Sequence, residues 1–187
     1  MHHIVALSGF AFSGKDHLAN EIITRDNSFQ RYALADFLKE LMCLILDMSI
    51  EELNEWKNDN KENRQRLIDF SEKGIKQVDK CFWVKKFKKD FDENPGNYII
   101  TDMRYFEEYF FLLKHFAPCE KVILKMVYVQ NMFGKVYEGC GNQILSKHCG
   151  YAYRNYLRED SQHAEEFSKL MRYIYEPSSG LSSAEQS

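Results

Sequence analysis

Residues 4–16 read IVALSGFAFSGKD. Ile4, Val5, Ala6 and Leu7 form a short apolar run, the pattern of a strand buried on both faces of a parallel sheet. Gly9, Phe10, Ala11, Phe12, Ser13, Gly14 and Lys15 then fit the spacing G-x-x-x-x-G-K between a strand and a helix. Gly9 and Gly14 permit backbone angles that a Cβ would forbid, so successive N–H groups can turn inward around an anion. The helix predicted from Lys15 points its positive end at the same spot. Lys15 would add a mobile full charge for the outer phosphates of a nucleoside triphosphate, with water as its partner in the free protein. Asp16 stands where serine or threonine usually helps hold magnesium, and a carboxylate is a hard oxygen ligand suited to that role. The stretch predicts a nucleotide phosphate site.

Outward from it, apolar runs alternate with helical patterns. Leu18, Ala19, Ile22 and Ile23 predict a first helix over Lys15 to Arg25. An extended piece over Arg31 to Ala35 follows, and Asp36 is expected to cap a second helix carrying Phe37, Leu38, Leu41, Met42, Ile45 and Leu46. Ser49, with Glu51 and Glu52 behind it, marks a short helix ending near Trp56. Lys57 to Arg66, KNDNKENRQR, reads as a solvated loop leading into a helical pattern that ends at Gly74. Asp79 starts a helix with Phe82, Trp83, Val84, Phe87 and Phe91 on one face and Lys85, Lys86, Lys88 and Lys89 on the other, the latter an exposed face. After the Asn94–Asn97 turn, Tyr98 to Thr101 form a second buried strand ending in Asp102, and Glu107 to Phe116 an apolar helix. Val122 to Val129 is the next strand. Gln130 to Gly150 reads as a loop or lid, Tyr151 to Leu157 as the last strand and Glu165 to Tyr175 as a closing helix. Pro177 to Ser187 is polar and expected to be disordered.

This order predicts a three-layer α/β chain, P-loop kinase-like, with a parallel sheet of about five strands covered by helices. Residues 1–176 read as one domain, with a helical region over about 36–94 and a small lid over about 130–150. Ligands of such sheets bind beyond the carboxyl ends of the strands, where Asp102 and Arg104 fall. A formal charge of −3 argues against a dedicated nucleic-acid binder. Five scattered cysteines and no evident signal segment point to a reducing, cytoplasmic setting, and no window has the length of a membrane span.

Three segments together resemble the phage-type deoxynucleoside monophosphate kinases: S-G-K-D at Ser13 to Asp16, ADFLKELM at Ala35 to Met42, and ITDMRYFEE at Ile100 to Glu108. A fourth, RQRLIDFSEKG at Arg64 to Gly74 followed by FWVKKF, is a weakened version of another segment of that family. The resemblance implies transfer of the γ-phosphoryl group of ATP to a deoxynucleoside monophosphate with Mg2+, in the cytoplasm (the host's, if the source is viral). It places the ATP phosphates on Gly9, Ser13, Gly14, Lys15, Asp16 and His17, with Asp16 also on the metal. Lys15, Asp16, Asp102 and Arg104 would be the catalytic residues. Arg64 or Arg66, Gly74, Trp83, Asp102, Arg104 and Glu108 would form the acceptor site. Phe10 and Phe12 stand where relatives often carry a basic residue, so Arg154 or Arg158 is expected to close on the transferring phosphate.

Other readings stay open at this level. Asp102 and Arg104 can be a surface ion pair, Arg64 and Arg66 solvated side chains, and Trp83 a core residue. The chain can be a P-loop kinase of another phosphorylated small molecule, since animal-type phosphomevalonate kinases also carry S-G-K-D, or a nucleotide-binding module without catalysis. The base accepted and the oligomeric state, a homodimer included, are not specified.

Overall fold

The computed structural model describes residues 1–10, 13–131, 151–155 and 161–176. Their contacts divide the chain into two compact units, Met1–Arg31 with Pro95–Ser187, and Tyr32–Asn94.

The first unit is built on strand β1 (His2–Ser8), which is followed by α1 (Lys15–Arg25) and β2 (Phe29–Tyr32). After the second unit the chain continues through β3 (Asn97–Met103), α6 (Phe106–Phe116), β4 (Val122–Asn131), β5 (Tyr151–Asn155) and α7 (Ser161–Tyr175). The five strands form one sheet in the order β2-β3-β1-β4-β5. β1 pairs in parallel with β3 and with β4, and β4 in parallel with β5. The central position of β1 explains its unbroken apolar run: Ile4 to Leu7 have no exposed surface, as expected where both faces of a parallel sheet are covered. Val5 and Leu7 join Val127 and Val129 of β4 against Leu18, Ala19 and Ile22 of α1 and Leu170 and Ile174 of α7. Ile4 and Ala6 alternate to the opposite face, and α6 lies along β4 with Leu112 and Phe116 buried. This is the three-layer α/β arrangement that the sequence predicts.

β1 and β4 run in unbroken register from His2↔Val122 to Ser8↔Tyr128. The register of β1 with β3 shifts between Ala6 and Ser8, so that Ser8 pairs with Met103. The irregularity falls at the carboxyl end of the sheet, just before the glycine loop. At the other end Asn97 accepts a hydrogen bond from the His3 backbone N–H and donates one to Ser28 Oγ, both at 2.8 Å. Tyr175 bonds the Asp26 carboxylate, closing α7 onto the end of α1.

The second unit is helical: α2 (Leu34–Leu46), α3 (Ile50–Asp59), α4 (Lys61–Asp69) and α5 (Phe82–Glu93). α4 runs on through a π-helical stretch, Phe70–Ile75, and a last turn, Lys76–Val78. Met42, Leu53 and Leu67 form the unit's core with Leu38, Leu46, Trp56 and Phe70 around them.

Several boundaries differ from the sequence reading. β2 begins at Phe29 rather than Arg31, because Phe29 is an anchor of the sheet core. α2 starts at Leu34, with the backbone of Ala33 closing its first turn through the Asp36 N–H. Asp36 sits inside that turn, where its charge still suits the helix dipole, and pairs with Lys39 at 2.5 Å. Ser49 caps α3 as expected, in a reciprocal pair with Glu52. The polar window from Lys57 is not a loop. α3 extends to Asp59, and Asn60 caps α4 by accepting from the Asn63 N–H at 2.8 Å. Asn63 is buried and donates to the Trp56 carbonyl. The window's own asparagines thus supply the caps and bonds that keep it helical. Asp79 precedes α5 instead of starting it, its carboxylate accepting from the Cys81 N–H. The expected lid lies outside the described residues except Gln130 and Asn131, which belong to β4. The expected C-terminal tail lies outside them entirely. Among the described residues no helix is long and apolar enough to cross a membrane.

Candidate functional site

The turn after β1 is shaped by its glycines. Gly9 is buried at φ +152°, and a Cβ there would lie 2.5 Å from the Val129 carbonyl oxygen and 2.7 Å from Ser13 Oγ. Gly14, at φ 91°, is the N-cap of α1. Both values lie where L side chains are strained. Ser13 is buried and its N–H donates to the Phe10 carbonyl at 3.2 Å. The Phe10 ring meets Tyr128 of β4 edge-on, which accounts for an apolar side chain in a phosphate-type loop: the ring packs on the sheet while the backbone forms the cradle. Ala11 and Phe12 lie outside the described residues. Ser8 Oγ, at the end of β1, is buried and has no hydrogen-bond partner among the described residues.

Lys15 departs from expectation. Its ammonium folds back onto the loop, donating to the carbonyls of Gly9 (3.0 Å) and Phe10 (2.6 Å) and approaching Ser13 Oγ at 3.5 Å, rather than standing in water. Loop carbonyls are the nearest acceptors for a half-buried ammonium. Burial first, and then the nearby Arg104 charge, push its pKa down to about 8, against the opposing pull of Asp16 and Asp102. All four residues expected to be catalytic therefore share one electrostatic neighbourhood.

Asp102 is the penultimate residue of β3 and half-buried, and Arg104 lies exposed just beyond the strand. Glu108 serves as an anchor of this edge. It is 2% exposed, and one carboxylate oxygen accepts the backbone N–H groups of Arg104 (3.1 Å) and Tyr105 (3.2 Å). A carboxylate in the first turn of α6 satisfies donors that the helix cannot. Glu108→Ala is expected to lower stability by about 2 kcal/mol, the cost of stranding buried donors, while Glu108→Gln, which keeps an acceptor, costs less. Urea unfolding of the two variants measures the difference.

Asp16 is 72% exposed and pairs with Arg31 of β2, whose Nη2 and Nε lie 3.2 and 3.3 Å from Oδ1. Arg31 belongs to no motif, and only the contact singles it out. His17 lies exposed on α1, 3.8 Å from Glu21. No group of three or more potential protein ligands for a metal occurs among the described residues. The oxygen donors present, the Asp16 and Asp102 carboxylates and the Ser13 hydroxyl around a glycine cradle, fit Mg2+ carried in by phosphates, which takes only one or two protein carboxylates.

In the helical unit Trp83 is 4% exposed. Its N–H donates to Ser71 Oγ at 3.1 Å, and it meets Phe37 and Phe82 edge-on. It is therefore a core aromatic there, the alternative that its apolar helix face offered. Arg64 and Arg66 are exposed on α4. Gly74 has ordinary helical surroundings: a Cβ added there would meet nothing within 4 Å among the described residues. Lys57 of α3 is held below the usual lysine range by burial first, and then by the positive charges of Lys39 and Arg64. Three cations from α2, α3 and α4 thus share a neighbourhood, and Arg64 rather than Arg66 belongs to it. The α5 lysines are matched by carboxylates, Lys85 by Asp79 ahead of the helix and Lys86, Lys88 and Lys89 by Asp90, Asp92 and Glu93 one turn on; Lys85 and Lys89 are exposed as expected, whereas Lys86 and Lys88 are half-buried. Arg154 lies on β5, and Arg158 lies outside the described residues.

Three solved structures are similar in fold. Shikimate kinase from Aquifex aeolicus vf5 is 14% identical at TM-score 0.46, covering 91% of this chain and 95% of its own. Shikimate kinase from Bacteroides thetaiotaomicron is 13% identical at TM-score 0.45, covering 91% and 97%. Dephospho-CoA kinase from Campylobacter jejuni is 13% identical at TM-score 0.46, covering 93% and 98%. No protein-family model matches the chain, and no curated protein matches it.

Proposed function

We propose that the chain transfers a phosphoryl group from ATP to a deoxynucleoside monophosphate. The observation that carries this is the grouping of Lys15 with Asp16, Asp102 and Arg104 beside a cradle that only glycine fits. Phosphoryl transfer needs position and positive charge around spreading negative charge rather than a covalent nucleophile. Lys15 would leave the loop carbonyls for the outer phosphates of ATP, and the backbone N–H groups of the glycine loop and of the start of α1 would hold the rest. Asp16, with Asp102, would hold magnesium, which neutralises phosphate oxygens when bound. Arg104 would face the acceptor phosphate.

An ADP-release assay across the deoxy- and ribonucleoside monophosphates tests the reading. Turnover with a deoxynucleoside monophosphate supports it. Turnover only with another phosphorylated small molecule, such as phosphomevalonate, moves the substrate class, and nucleotide binding without turnover on any acceptor replaces the enzyme with a binding module. Within the assay, Arg104→Met is expected to raise KM for the acceptor about 10- to 100-fold, the value of a lost charge-assisted contact, with KM for ATP changed less than about threefold. Equal losses for both substrates would remove Arg104 from the acceptor.

A further inference from the structure

β2 leaves the core on a fixed alternation. Phe29 is buried with α1 in the sheet core, and Arg31, two residues on, shares its face of the strand. That face leads back to the first turn of α1, where the Arg31 guanidinium meets Asp16 with two nitrogens on one carboxylate oxygen. Asp16 already lies at the positive end of a helix, which stabilises its negative charge without help. The guanidinium is thus an additional cation, set at the carboxylate to which the proposed function assigns the magnesium of a bound nucleotide.

We infer that Arg31 is the exchange partner of that magnesium: it neutralises Asp16 in the nucleotide-free chain and yields the carboxylate when the metal arrives. The inference rests on the phosphate-site reading above and adds a positioning residue that acts through Asp16. Both cations would draw on the single negative charge of the Asp16 carboxylate, so the metal would work against the ion pair. Both partners are substantially exposed, at 40% and 72%, so the competition is modest, of the size measured for surface ion pairs.

The experiment is calorimetric titration of ADP into the full chain at graded Mg2+ and in chelator, which reads binding without turnover. Arg31→Met is expected to lower the Mg2+ concentration for half-maximal ADP binding about two- to fivefold, with ADP affinity in chelator changed less than about twofold. Arg31→Lys, which keeps the charge, should stay near the parent. In an Asp16→Asn background the effect of Arg31→Met should vanish. An unchanged Mg2+ requirement overturns the inference, as does an effect that survives Asp16→Asn. Equal weakening with and without metal overturns it too, by placing Arg31 on the phosphates. If the parent chain binds no ADP at all, the phosphate-site reading falls and takes this inference with it. That outcome is distinct from ADP binding that ignores Arg31, which leaves the reading standing.

Discussion

Lys15→Ala is expected to reduce phosphoryl transfer by about 10³-fold or more while leaving the fold in place. Lys15 is the residue through which the glycine loop can present a full positive charge, and the contacts it makes in the free chain are to its own loop, at Gly9 and Phe10. Those two carbonyls become available to water when the side chain is cut back, so the expected change in melting temperature is small. Loss of charge at the transferring phosphate, by contrast, is felt most where negative charge moves. Steady-state turnover at saturating substrates, read beside a thermal melt, separates the two effects; turnover within about tenfold of the parent would remove Lys15 from the reaction.

The same residue gives a pH dependence. With its pKa lowered to about 8 in the free chain, Lys15 is charged below that value, and a bound phosphate would raise the pKa again. Nucleotide affinity is then greatest below about pH 8 and falls as pH rises through the free-chain value. Lys15→Ala should flatten that part of the profile. For folding the sign is opposite: the unfolded lysine, at its ordinary pKa, binds the proton more tightly. The stability penalty of burying the charge is full below about pH 8 and is relieved as pH rises toward the unfolded value.

Gly9→Ala is expected to abolish nucleotide binding, by about 100-fold or more in affinity, and to destabilise the chain by about 1–3 kcal/mol. The added methyl would stand 2.5 Å from a backbone carbonyl of β4 and 2.7 Å from Ser13 Oγ. The first contact cannot be relieved by turning a side chain, because Val129 lies in a strand paired within the sheet. The loop would have to move away from β4, and with it the carbonyl that accepts Lys15. Gly74→Ala is the matched control, since a Cβ there meets nothing within 4 Å among the described residues; it is expected to be neutral or slightly stabilising. Equilibrium ADP binding and urea unfolding of both variants settle the contrast, and a Gly9→Ala chain that binds ADP like the parent would show that the cradle is not the nucleotide site.

The sequence by itself determined the elements whose pattern is local. The four-residue apolar run of β1 could only be a strand covered on both faces, and the limits of α1, Lys15–Arg25, followed from the glycine loop that precedes it and a 3.6-residue apolar repeat. The capping pair of Ser49 and Glu52 and the buried face of α5 were equally legible, because caps and periodicity act between residues three or four apart. Tertiary structure decided what depends on neighbours distant in sequence. The KNDNKENRQR window became helix because Asn63 could reach the Trp56 carbonyl. Trp83, which spacing alone left equally open to a base, was taken by Ser71 and two phenylalanines. Glu108 became the buried anchor of the Arg104 turn, Lys15 turned onto its own loop, and Arg31, unmarked by any motif, came to Asp16 across fifteen residues. A charged side chain's role depends on which opposite charge or open carbonyl the fold brings within about 3 Å, and no spacing along the chain encodes that distance.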